Sequence, residues 1–226
     1  MSRPTAIIAA MAKSTSLRRA AIGFRAHSGW AALVAVTGTA KSPEVIARRR
    51  IEIADPGIRG SKQPFHAAEP LEFPAAEEFL RRCTESTRRL ARETVHAAID
   101  GLRDMRCEAA CCGIILGSGR TLPELKAVLA SHALIHTAEG EFYRKALVEA
   151  SEHCGLPVLG VKERELYDRA AAQLRLTASE IERRIAEMGK PLGPPWTQDQ
   201  KYAALVAWMA LGMSPLTFGL QSRIAR

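Results

Sequence analysis

Apolar positions along the chain change period several times, and each change marks an element. The first runs are short and β-like: Ala20–Arg25, then Trp30–Val36, then Glu44–Ala54, where Val45, Ala47, Ile51 and Ile53 fall on alternate positions around Arg49. His27-Ser-Gly29 reads as a turn or a bulge, so 20–36 is either two strands or one long bulged strand. Residues 55–74, rich in Gly and Pro, read as a linker. From Pro74 the period becomes helical. Phe79, Leu80, Cys83, Thr87, Leu90, Val95, Ala98 and Leu102 recur at three- and four-residue steps, with arginines and glutamates on the other face. Proline suits a first turn, where its missing N–H has no intrahelical partner to lose. Cys107–Leu116 is then continuously small or apolar, the composition of a central strand covered on both faces.

Punctuation divides the remainder. Thr121-Leu-Pro-Glu124 has the form of a capping box and predicts a helix over about 122–131. A further helix is expected from about Thr137, with Glu139 and Glu141 in its first turn, ending at Cys154-Gly155. Leu156–Val161 reads as a short strand and Glu163–Leu174 as a helix. Thr177-Ala-Ser-Glu180 and Thr197-Gln-Asp-Gln200 cap two more helices, joined by a rigid Pro191–Trp196 connector. The order is that of an α/β protein with an N-terminal antiparallel meander. It divides into a flexible leader (1–18), an α/β domain (19–175) and a C-terminal helical extension (176–226) packed on the same domain.

The order of elements over about 20–175 resembles the ribonuclease H-like fold, in which three antiparallel strands precede α-β-α-β-α. Two segments, Gly23-Phe-Arg-x-x-Ser-Gly-Trp30 and Ser131-His-x-x-x-His-x-Ala-Glu-Gly140, also resemble those of a family of uncharacterised bacterial proteins. The resemblance implies a three-layer mixed sheet and brings no activity with it.

Charge adds a class of partner. The net charge of +8 favours anionic ligands, a small molecule or RNA, because a cationic surface attracts phosphate without sequence specificity. About half of that excess sits in residues 1–19 (Arg3, Lys13, Arg18, Arg19), and most other arginines alternate with glutamates. Five cysteines without a C-x-x-C read as buried thiols in a reducing cytoplasm. No apolar run is long enough to span a bilayer. A homodimer is compatible with the sequence, and no cofactor is specified by it.

Two stretches carry candidate chemistry. Gly117-Ser118-Gly119-Arg120, after a buried strand, offers backbone amides and a guanidinium to an anion, though it is neither a P-loop nor a dinucleotide fingerprint. His132, His136 and Glu139 share a face if the chain is helical through them, and His66-Ala-Ala-Glu69 matches His136-Thr-Ala-Glu139 as a second His-x-Ala-Glu unit. No metal is assigned: Ala133 stands where an H-E-x-x-H would carry its acid, and the start signal at Thr137 separates the histidines. The expected function is binding of a phosphate-bearing or anionic ligand at the carboxyl end of strand 107–116. Gly117–Arg120, His66 and Arg144 would hold it, and His136, His132 and Glu139 would orient it or move protons. The alternatives are a hydrolase, metal-assisted or with histidine as general base, in the same pocket, and a non-catalytic scaffold whose C-terminal helices form the interface. A ribonuclease H-type metal nuclease lacks its parts, since residues 20–43 hold no Asp or Glu.

Overall fold

Apolar runs buried on both faces in the first two strands and a partly exposed third strand build a meander. The computed structural model, which describes residues 17–117, 119 and 121–213, places β1 at Arg18–His27, β2 at Trp30–Gly38 and β3 at Pro43–Glu52, each antiparallel to the next. Residues 20–36 are therefore two strands, joined by a two-residue turn in which Gly29 takes φ +82°, a conformation costly for any side chain with a Cβ. β1 starts at Arg18, the last residue of the expected leader. β4 (Cys107–Leu116) pairs parallel with β1, and β5 (Val158–Lys162) parallel with β4, for an order β3-β2-β1-β4-β5. A mixed sheet of this order and sense, with helices on both faces, is a ribonuclease H-like fold.

Side-chain alternation sends the two faces of the sheet to different layers. Ala20, Ile22, Phe24, Cys112 and Ile114 pack against α2 (Phe73–Asp104) and α4 (His132–His153). Ala21, Val34, Cys111, Ile115 and Leu159 pack against α5 (Leu166–Leu174), α6 (Ala178–Gly189) and α7 (Gln198–Leu211). Adjacent Cys111 and Cys112 thus enter opposite cores. α7 lies directly on β1, β2 and β4, and every residue from Ala203 to Leu211 is buried, so its apolar character runs all round instead of along one stripe. α6 and α7 thus cover this face of the sheet together with α5.

Local signals hold where no neighbour opposes them. Both expected C-terminal capping boxes form, with Thr177 and Thr197 accepting from the amides of Glu180 and Gln200. The box at Thr121–Glu124 does not form. Pro123 disfavours the helical conformation of Leu122, which would have to be the first helical residue, and the helix α3 is only Leu125–Leu129 with Glu124 extended before it. The start expected at Thr137 is also displaced: α4 begins at His132, and the Ser131 carbonyl accepts from the amides of Leu134 and Ile135. Within the expected linker 55–74, Pro64 opens a short helix, α1 (Pro64–Ala68).

All five cysteines are free, and all but Cys154 are buried. Burial pushes the thiols of Cys83 up to about 11 and of Cys111 and Cys112 to about 12. A thiol reagent should therefore label only half-buried Cys154 in the folded protein, and the other four only in denaturant; prompt native labelling of more than one thiol, read by mass spectrometry, would contradict this packing.

Candidate functional site

On α4 the stripe that enters the core, Tyr143, Leu147 and Ala150, continues towards the N-terminus as Glu139, His136 and His132. At about 100° per residue these positions stay on one side of the helix. Because α4 runs back from the end of β4 to the start of β5, its first turns lie on the carboxyl side of the parallel strands, where the polar end of the stripe meets α1. This is the side of an open α/β sheet on which ligands bind.

α1 brings His66 into that position. Glu139, 5% exposed, accepts three hydrogen bonds on one carboxylate oxygen: from the amides of Phe65 (2.7 Å) and His66 (3.0 Å), and from His66 Nδ1 (3.2 Å). A carboxylate oxygen that already takes two amide donors is an acceptor here, so His66 carries its proton on Nδ1 and its lone pair on Nε2. Tyr143, one turn further along α4, donates to the Ser61 carbonyl and fixes the chain entering α1. The other Glu139 oxygen, Oε2, is buried and has no hydrogen-bond partner. Burial accordingly raises the Glu139 pKa, against the lowering effect of the His66 and Phe65 hydrogen bonds.

The imidazoles of His132 and His136 are exposed and complete the group. Their Nε2 atoms are 3.0 Å apart, and the His66 ring centroid is 5.6 Å from that of His132 and 4.8 Å from that of His136. One ligand nitrogen from each of the three histidines falls within a 4.8 Å span. Among the described residues this is the one group of three His, Cys, Asp or Glu side chains close enough to share an ion. Thr137, the expected break, lies inside α4 with its hydroxyl on the Ala133 carbonyl, so the reason for separating the histidines falls away. Glu69, the acid of the first His-x-Ala-Glu unit, is exposed at the C-cap of α1.

The remaining predicted residues lie elsewhere. Arg144 projects from a different side of α4, donates to the Gly140 carbonyl and stands 3.9 Å from Glu141. Its pKa is lowered, chiefly by burial. Gly117 runs close over this pair: a Cβ there would come 3.0 Å from Arg144 Nη1. Gly119, at φ +68°, packs on the Lys162 side chain. Ser118 and Arg120 lie outside the described residues. The described residues of the expected pocket thus include a histidine group around Glu139 and, on another side of α4, Arg144 beneath Gly117.

Near Arg144 lies a group that the sequence does not announce. Arg25 on β1 approaches Asp199 (2.7 Å) and Glu163 (3.0 Å), and His27 meets the same Asp199 oxygen at 2.9 Å. Partners 172 residues apart leave no local spacing to read. A ribonuclease H-type nuclease would gather carboxylates near the ends of these strands, and here Asp199 and Glu163 are paired with Arg25. Glu52 pairs with Arg50 on the edge strand, and Glu108 is exposed at the start of β4. Trp30 is held between the His27 ring and the Arg50 guanidinium, and the Trp196 indole donates to the Ile185 carbonyl, so both have local packing roles.

No protein-family model and no curated protein matches the chain. Among solved structures it is similar to RuvC of Thermus thermophilus, both in the structure of that protein and in its complex with a Holliday junction substrate. Each match has 10% identity and a TM-score of 0.45, and covers 90% of this chain and 96% of that one. Among the described residues no helix is long and apolar enough to cross a membrane.

Proposed function

We propose that the chain is a hydrolase acting on a phosphate-bearing or otherwise anionic substrate, RNA included, at His66, His132, His136 and Glu139. The observation that carries this reading is the buried Glu139 carboxylate holding His66 in one tautomer beside two exposed imidazoles. A carboxylate on one ring nitrogen leaves the other as a directed proton acceptor, the arrangement by which histidine bases are oriented in hydrolytic sites generally. The exposed rings of His132 and His136 give water and substrate access to it. Surplus positive charge on the chain raises the local concentration of anionic substrates.

Ligand binding without reaction is the second reading, supported by Arg144 under the Gly117 turn. Of the C-terminal helices that a scaffold would use as its interface, α7 is buried in the core, which leaves the exposed side of α6 for that reading. The likeness of residues 23–30 and 131–140 to a bacterial family adds no activity.

Turnover of p-nitrophenyl phosphate, bis-p-nitrophenyl phosphate and single-stranded RNA should fall about 10²–10⁴-fold in His66→Ala and His136→Ala, the range typical of a lost general base. A wild-type rate no higher than buffer on all three would refute hydrolysis. RNA retained without cleavage, with affinity falling steeply in salt, would support the binding reading instead.

A further inference from the structure

We infer that His66, His132 and His136 are the three protein ligands of a divalent transition-metal ion of the zinc type, with Glu139 as the carboxylate behind His66. This rests on the hydrolase reading for the place of the site and changes one role in it, since a His66 Nε2 that binds an ion is a ligand and no longer the proton acceptor; its observations are its own.

The donor set comes first. Three imidazole nitrogens with no carboxylate oxygen among them suit zinc, copper, iron or nickel, and do not suit magnesium or calcium, which take oxygen ligands. Zinc–nitrogen bonds of about 2.0–2.1 Å arranged tetrahedrally put neighbouring ligand atoms about 3.3 Å apart. His132 and His136 Nε2 already stand at 3.0 Å, one helical turn apart on the same face. Without an ion the contact is an N–H···N hydrogen bond that fixes one ring as the Nε2–H tautomer. Two neutral rings can satisfy it only if one donates, and two protonated rings repel; a shared cation uses both lone pairs. His66 offers a nitrogen within the 4.8 Å span of the group, wider than 3.3 Å, so its ring has to close on the pair when an ion binds; Glu139 holds the proton on Nδ1 and leaves Nε2 as the free lone pair.

Glu139 is the independent observation. Its Oε2 is buried with no hydrogen-bond partner, and the residue is 5% exposed. A buried carboxylate with an unpaired oxygen is destabilised unless positive charge lies near it. An ion on the far nitrogen of His66 supplies that charge through one ring and strengthens the Nδ1–H bond to Oε1. The carboxylate–histidine–metal relay is a general feature of such ligands. Access completes the case. His132 and His136 are exposed, so a fourth position faces solvent, and three protein ligands plus a water is the pattern of a catalytic and not a structural zinc site. An ion there lowers the pKa of the water it binds, and the protein's part is to hold three rings and exclude a fourth ligand of its own.

The test is calorimetric titration of chelator-treated full-length protein with Zn²⁺, and with Co²⁺ for the visible absorption of four-coordinate cobalt. One ion per chain is expected. Because His132 and His136 are exposed, His132→Ala and His136→Ala should fold normally by circular dichroism yet bind more than about 100-fold more weakly. Glu139→Gln should lose about 10–100-fold in affinity, the usual effect of removing an outer carboxylate. Absence of binding, or binding unchanged in the histidine variants, would overturn the site. The two readings fail separately. Ion binding without turnover of any ester would remove the hydrolase and keep the metal, whereas turnover unaffected by chelation, with no ion bound, would keep histidine as the base and remove the metal.

Discussion

Gly23→Ala should cost more than about 3 kcal/mol and leave little folded protein at 37 °C, although only one methyl group is added. Gly23 lies in the middle of β1, where α7 crosses. A Cβ there would sit 2.8 Å from the Ala203 carbonyl carbon, nearer still to its oxygen, and 2.9 Å from the Ala207 Cβ. Gly113 on neighbouring β4 has the same relation to α7, with a Cβ 2.7 Å from the Val206 carbonyl carbon. The obstacle in both cases is main chain and not the end of a flexible side chain, so relief requires α7 to lift off the sheet. Overpacking usually costs about 1–3 kcal/mol. Lifting α7 adds the loss of contacts made by a helix whose residues 203–211 are all buried, and native domains hold only about 5–15 kcal/mol in total. Urea denaturation would measure it. A midpoint for Gly23→Ala within error of wild type would show that the helix has room to move.

Glu139→Ala should cost about 3 kcal/mol, while Glu139→Gln stays within about 1 kcal/mol of wild type. Alanine strands the amides of Phe65 and His66 and the His66 ring N–H in a dry position, and a buried donor left unpaired costs about 1–3 kcal/mol. Glutamine keeps an acceptor for all three and removes a buried charge. The pair of variants therefore separates the helix-capping role of Glu139 from its charge.

The charge itself predicts a pH effect. Burial raises the folded-state pKa of Glu139 above the unfolded value of about 4.3. Between those two values the folded state holds more protons. The stability this contributes is fully present below the unfolded pKa and is lost as pH rises through the raised folded one. In metal-free protein, wild type should thus lose stability relative to Glu139→Gln as the pH is raised through that window. Identical pH dependence of the two urea midpoints would refute the assignment.

Legibility from sequence divided along physical lines. His132, His136 and Glu139 were readable as one face because spacing on a helix is a local property, and the only doubt was the start signal at Thr137. That signal lost to a helix already begun at Ser131, and the hydroxyl of Thr137 turned to the Ala133 carbonyl. His66 was visible as the start of a matching tetrapeptide, but its helix was not, because five residues between glycines and prolines show no period. The Arg144 assignment followed sequence proximity, whereas its position on α4 turns it towards Gly117 and Glu141. Arg25, His27 and Asp199 carried no signal, being joined only through the docking of α7 on β1.

By itself, then, the sequence determined the order and type of the longer elements, though not α1 or where α3 and α4 begin, together with the doubly covered strand 107–116, two capping boxes and the i, i+4, i+7 histidine–glutamate face. Each of these depends on neighbours within a turn or on alternation along one strand. Tertiary structure decided that α1 docks on α4 to set His66 against Glu139, that α7 lies directly on Gly23 and Gly113, and that Arg144 sits beneath Gly117, on another side of α4 from the histidines. Those outcomes depend on which surfaces fit and which buried groups find partners across seventy residues or more, and such fit is settled only when the layers close.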